Sequence, residues 1–241
     1  MVENAKDIER LLETKQCQGG DLSGANLSEL DLSGADLSGA KLYCANLSHT
    51  NLSGANLSGT DLSFANFVNT DLTRSNIRGA DARGINLFDS HLNDANLSGT
   101  DLTFANLVNA SLSETNLCAV KLVGTNLIGA KLNGANLSSA DLSGANLSTA
   151  NLISAKLLSS DLSEAKLVRA DLSDANLIGA NLSEANLSNA NLLNTNLVSA
   201  VLINAYLIGA NLIGTKLDNA RLDGAIGITM DGQLVIRDRV N

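Results

Sequence analysis

Proline and tryptophan are absent from all 241 residues, histidine occurs twice, and aromatics make up 2% of the chain. Ordinary globular cores are built around large aromatics, so their near-absence points to a repetitive aliphatic interior. Neither His49 nor His91 has a His or Cys neighbour at metal-ligand spacing, which removes the usual basis for a zinc site. No histidine is placed to activate any one of the many serines, and the phosphate-cradling patterns GxxxxGK[ST] and GxGxxG are missing as well. The expectation is a protein with no catalytic residue, no cofactor and no metal.

Positive charge is scarce too. Sixteen Lys and Arg stand against 25 Asp and Glu, a net charge of -9. That balance argues against direct contact with nucleic-acid phosphate and suits solubility or a basic protein surface. No run of eighteen apolar residues occurs, and the first residues, MVENAKDIERLLETKQ, are charged throughout. A cytoplasmic protein without signal peptide or membrane span is therefore expected. Three cysteines leave at least one unpaired in a monomer, which fits a reducing compartment.

What the chain has in abundance is a five-residue period. From DLSGANLSELDLSGADLSGA at Asp21, every fifth position from 22 to 222 forms a slot of 41 units without insertion. Leu fills 38 of them, the exceptions being Phe67, Ile77 and Ala82. Two residues before each Leu, Ala occurs in 26 units and Thr or Ser in 11; just before the Leu, Asn occurs in 20 and Asp in 10. Period five is neither the 3.6 of a helix nor the 2 of a flat strand. Each unit must be a short extended piece and a corner, with one large and one small apolar residue filling a narrow interior. Gly ends 16 units, where a corner benefits from positive φ.

This pattern strongly resembles the pentapeptide repeat family, whose unit is written A(D/N)LXX, over roughly residues 20 to 225. The resemblance implies an all-β fold, a right-handed quadrilateral parallel β-helix with four units per coil and the Leu and small residue pointing inward. Residues 1–19 then read as an N-terminal capping helix, 20–225 as the solenoid, and 226–241 as a C-terminal hairpin cap or tail. Four units per coil also has support inside the sequence. SGTDLSFANFVNTDL (58 to 72) returns as SGTDLTFANLVNASL (98 to 112), 40 residues later, with 11 of 15 positions identical. Sorting by 20 also gathers Asn26, Asn46, Asn66, Asn86, Asn106, Asn126 and Asn146 into one column, and Asn56, Asn76, Asn96, Asn116 and Asn136 into another. Stacked Asn side chains can hydrogen-bond along such a ladder. About ten coils at 4.8 Å make a rod roughly 50 Å long. At the ends, Asn4 reads as an N-cap, with Ile8, Leu11 and Leu12 as one apolar face over the first coil. IGITMDGQLVI reads as two short strands around Asp231-Gly232.

Several outward positions are candidates for function. Val68, Phe88, Val108 and Ile128 run down one side; Leu158, Ile178 and Val198 run down another, with Ile153, Leu193 and Ile213 on the side before it. Such columns point to self-association or protein docking, above all in the C-terminal half, although β-branched residues also simply favour extended backbone. Asp21, Asp61, Asp81, Asp101, Asp141 and Asp161 form an acidic column interrupted by Lys41 and Lys121. The resemblance brings in members that mimic duplex DNA and act on DNA gyrase, and this column is the feature that would serve such a role. Members of that type usually dimerise through a C-terminal aromatic or hydrophobic module, and some carry projecting loops; this chain has no loop and few aromatics. Arg74, Arg78 and Arg83 make one basic spot, Cys17 and Cys44 could bond under oxidising conditions, and Cys118 points outward. Ala82 with Ile85 reverses the large and small slots, which is read as a volume-conserving exchange in preference to a ligand cavity. The resulting reading is a non-enzymatic binding or scaffold protein, with a gyrase-directed DNA mimic and a purely structural spacer as alternatives.

Overall fold

A computed structural model describes residues 3–227 of the chain. It opens with helix α1, Glu3–Thr14. Asn4 therefore lies inside the helix and not before it, so it is not the N-cap. Leu11 is fully buried and Ile8 is partly buried against the core. Leu12 is exposed, because one residue further along a helix turns it about 100° away from Leu11. The helix stops where Lys15 takes a left-handed φ of 56°, its amide still donating to the Leu11 carbonyl at 2.8 Å.

From Gln16 to Ile226 the chain pairs with itself 20 residues away. Parallel single-residue bridges run without a gap from Gln16 with Asp36 to Tyr206 with Ile226. Five-residue units bridged at 20 place four units in each turn. The sides are named here by their columns of large inward residues: first (Leu22, Leu42 and on), second (Leu27), third (Leu32) and fourth (Leu37).

The backbone amides explain the repeat. Leu22 N donates to the Lys41 carbonyl of the next coil (2.8 Å), and Lys41 N to Gly20 of the coil before (2.9 Å). The corner amide of Gly24 donates to Tyr43 (2.8 Å), and Ala25 N closes the corner onto Leu22 (3.0 Å). One amide per unit is left over, that of the residue after the Leu. The Asn or Asp before the Leu takes it: Ser53 N donates to Asn51 Oδ1 and Ser33 N to Asp31 Oδ1, each at 3.0 Å. All five amides of such a unit are then engaged, and proline has no slot to occupy. Where Ser111 replaces the acceptor, Asn93 of the preceding coil accepts from Ser113 N instead (3.1 Å).

The interior is a continuous column of buried Leu and small residues from Cys17 to Leu207. Buried threonines in the small slot donate to nearby carbonyls, Thr50 to Leu27 of the coil before at 2.7 Å and Thr60 to Leu57 of its own coil at 2.6 Å. Ala82 and Ile85 both face this interior, 1% and 2% exposed, joined by a corner hydrogen bond from Ile85 N to the Ala82 carbonyl (3.2 Å). The first Asn ladder forms from Asn26 to Asn106: Asn46, Asn66 and Asn106 each donate Nδ2 to the Oδ1 of the Asn one coil earlier at 3.0 Å, and Asn86 does so at 3.5 Å; in the second column Asn76 donates to Asn56 and Asn116 to Asn96, each at 3.1 Å. Of the expected C-terminal hairpin, Ile226 and Gly227 are described and the remainder lies outside the described residues.

Candidate partner-binding surfaces

The corner and outward slots decide what the stack presents. On the second side Val68, Phe88, Val108 and Ile128 are half-buried, stacked over four consecutive coils. On the fourth side Leu158 is exposed, while Ile178 and Val198 are half-buried below it. On the third side Ile153 and Leu193 are half-buried and Ile213 is 71% exposed. These residues therefore stack as columns, with Leu158 and Ile213 their exposed members.

The acidic column lies on the first side, and its two halves differ. Arg83 grips Asp81 with both ends of its guanidinium, Nε to Oδ1 at 2.8 Å and NH2 to Oδ2 at 2.6 Å. That contact holds the Asp81 carboxyl below the usual carboxylate range. Lys121 sits 3.5 Å from Asp101, so the stretch from Asp61 to Asp101 is partly neutralised. Asp141 and Asp161 form no ion pair, nor do Glu164 and Glu184 at the corner of the same side, among the described residues. Asp161 instead accepts from Asn181 Nδ2 at 3.1 Å. The basic spot loses Arg83 to Asp81, leaving Arg74 and Arg78 exposed.

Sequence reasoning overlooked the aromatics at the first-side corner. Phe64 and Phe104 are 62% and 73% exposed, each at a left-handed corner where Gly is the usual occupant. The ring of Phe64 lies over Gly84 one coil on, so close that a Cβ there would come within 2.8 Å of it. Phe104 covers Gly124 in the same way, at 2.6 Å. Tyr43 meets Phe64 edge to face, ring centroids 6.1 Å apart. The signal lies in the corner slot taken every 20 residues, where Phe64, Gly84, Phe104 and Gly124 alternate.

The cysteines are free. Cys17 occupies an inward slot of the first unit after α1 and is fully buried, whereas Cys44 is exposed at a corner. The structure does not bring the two together: a bond would require Cys17 to leave the interior. There its Sγ accepts from Arg10 and donates to the Asp7 carbonyl, both at 3.4 Å. Cys118 is half-exposed on the fourth side. His49 and His91 are exposed on different sides, and no group of three or more His, Cys, Asp or Glu among the described residues could hold a metal ion. No helix among the described residues is long and apolar enough to cross a membrane.

Comparison with known proteins follows the same repeat. The family model described as Pentapeptide repeats matches in 8 copies from residue 21 to residue 226. Among solved structures, HetL of the cyanobacterium Nostoc sp. strain PCC 7120, a pentapeptide repeat protein involved in heterocyst differentiation regulation, is 34% identical. The match covers 98% of this chain and 100% of that one, with a TM-score of 0.49. A pentapeptide repeat protein of the Arabidopsis thaliana thylakoid lumen is 33% identical over 46% of this chain and 72% of its own, TM-score 0.31. Full-length QnrB1, a plasmid-mediated fluoroquinolone resistance protein, is 20% identical over 84% of this chain and 93% of its own, TM-score 0.38. No curated protein matches the chain.

Proposed function

The chain belongs to the pentapeptide repeat family, whose members are right-handed quadrilateral β-helices, and from that premise we propose that it is a non-enzymatic binding or scaffold protein acting through its outward columns. The observation that carries this reading is the apolar column of Leu158, Ile178 and Val198, one coil apart on a side where solvent-facing Ser is the ordinary occupant. Three apolar side chains stacked about 4.8 Å apart, the ordinary strand spacing, offer a flat strip that a protein surface can cover without any change in the rod. Ile153, Leu193 and Ile213 extend the strip onto the neighbouring third side. Val68, Phe88, Val108 and Ile128 offer a second strip in the N-terminal half.

The test is capture from the native cell extract with the full chain and with a Leu158→Asp, Ile178→Asp, Val198→Asp variant. The three positions face outward, so the variant keeps its circular dichroism spectrum. Loss of a captured protein supports the reading; an unchanged set of captured proteins and an unchanged mass in solution contradict it.

A second reading, a DNA mimic directed at a topoisomerase, has one observation in its favour: the carboxylates of Asp141, Asp161, Glu164 and Glu184 on one side, which form no ion pair among the described residues. The pairing of Asp81 with Arg83 and of Asp101 with Lys121 weakens it, because a duplex carries uncompensated charge along its whole length. Inhibition or protection of gyrase in a supercoiling assay decides between the two. A purely structural spacer would show neither activity nor partner.

A further inference from the structure

The corner between the first and second sides carries a large aromatic at two places where the backbone is left-handed. Phe64 and Phe104 take φ of 57° and 58°, a conformation that Gly adopts freely and a bulky side chain disfavours. Neither serves the interior, since Phe64 is 62% and Phe104 73% exposed. Each leans along the rod over the glycine one coil on, Phe64 over Gly84 and Phe104 over Gly124, while the corner at Gly144 has nothing over it. Tyr43 meets Phe64 edge to face and lengthens the aromatic surface by one coil.

The fold sets the spacing of the two rings. From Phe64 to Phe104 is two coils, roughly 9.6 Å along the rod. A polyproline II helix repeats every three residues at about 3.1 Å each, so its residues i and i+3 lie along one edge about 9.3 Å apart. Two prolines in a P-x-x-P segment therefore fall on the two rings in register, apolar face against apolar face. Such a segment is extended before it binds, so little ordering entropy opposes its docking on aromatics. Charge adds a direction. Level with the rings the first side is balanced, Asp81 by Arg83 and Asp101 by Lys121. Beyond Phe104, Asp141, Asp161 and Glu164 form no ion pair among the described residues. Glu164 lies three coils past Phe104, roughly 14 Å, which the same peptide spans in about four to five residues.

We propose that this corner docks a proline-rich segment of a partner protein. Two prolines three residues apart lie on Phe64 and Phe104, and a Lys or Arg about four to five residues further along faces Asp161 and Glu164. The segment belongs to another protein, because neither this chain nor a second copy of it has a proline to offer. The corner is separate from the strip of Leu158, Ile178 and Val198, so either surface can be removed without the other.

Selection of peptides from a random displayed library on the full chain tests the proposal, followed by fluorescence titration of the enriched peptides. Enriched sequences are expected to carry two prolines three residues apart and a basic residue on one flank. A Phe64→Asn, Phe104→Asn variant keeps the fold, since this left-handed corner already takes Asn at Asn69 and Asn109. It is expected to bind those peptides at least tenfold more weakly, with an unchanged circular dichroism spectrum. Moving the two prolines one residue closer together should weaken binding to the same degree. An Asp161→Asn, Glu164→Gln variant should lose at least threefold for peptides with the basic residue and nothing for those without it. Failure to enrich paired prolines, or equal binding by the double Phe variant, overturns the proposal. So does a concentration-dependent mass that the double Phe variant abolishes, because a second copy then occupies the corner.

Discussion

Ala82 and Ile85 are the one place where the large and small slots trade occupants, and a double-mutant cycle measures whether they compensate. Ile85 is 2% exposed, Ala82 1%, and Phe67, another departure from Leu, is fully buried one coil before Leu87. Ile85→Ala alone removes three carbons from a closed interior and should cost about 2–5 kcal/mol. Ala82→Leu alone adds three carbons beside an Ile that already fills the space, and overpacking of this kind costs about 1–3 kcal/mol. The double variant restores the common pattern at constant volume, Leu and Ile being isomers, and should cost less than about 1.5 kcal/mol. The single costs then sum to at least about 3 kcal/mol, a coupling of at least about 1.5 kcal/mol. Urea denaturation followed by far-ultraviolet dichroism reads all four chains, provided the slopes agree. A double variant whose cost equals the sum of the singles within about 0.5 kcal/mol would refute compensation and make the two slots independent.

Asn66 links three coils: it donates to Asn46 at 3.0 Å, accepts from Asn86 at 3.5 Å, and takes the Val68 amide at 3.4 Å. Asn66→Ala is expected to cost about 1–2 kcal/mol, read as a lowered melting temperature. Gly84 and Gly144 share a φ of 63°, but only Gly84 carries a ring above it. Both Ala substitutions should destabilise by about 1 kcal/mol through the left-handed backbone, with Gly84→Ala the worse because Phe64 must move. Equal urea midpoints would show that the ring rests there without effect. The carboxyls of Asp21 and Asp31 are depressed by the hydroxyls of Ser23 and Ser33, that of Asp36 by the Ser38 amide, and that of Asp81 by Arg83. A depressed folded pKa stabilises above the unfolded value, about 3.9, and that stabilisation is lost as pH falls through the lower folded values. Urea midpoints should stay level down to about pH 4 and fall below it; a rise toward acid would contradict the assignment.

The coil period and the inward slots were readable because they repeat. A Leu every five residues and an Asn column every 20 leave one geometry in which both can stack. What repetition does not encode was missed. The acceptor role of the Asn or Asp slot is a backbone matter: the leftover amide appears only once the inter-coil hydrogen bonds are drawn, as with Ser53 and Asn51. Cys17 falls within the segment 1–19 assigned to the N-terminal capping helix, although counting back five from Leu22 puts it in the same inward slot as the leucines. Leu12 was assigned to the buried face by hydrophobicity alone, and the helical turn from Leu11 places it in solvent. Side-chain reach across coils, the reason Phe64 covers Gly84, depends on which way the corner residue leans, and a linear pattern carries no such direction. The neutralisation of Asp81 by Arg83 was within reach of the sequence, since the two are neighbours on one side; treating acidic and basic residues as separate patches concealed it.

Scalar couplings across hydrogen bonds, measured by long-range amide-to-carbonyl correlation in solution, test the four-sided stack most directly. The amide of Leu122 should correlate with the carbonyl of Asp141 and that of Leu62 with Asp81, nineteen residues on in each case. Correlations fourteen residues on would mean three units per coil and would undo every column named above.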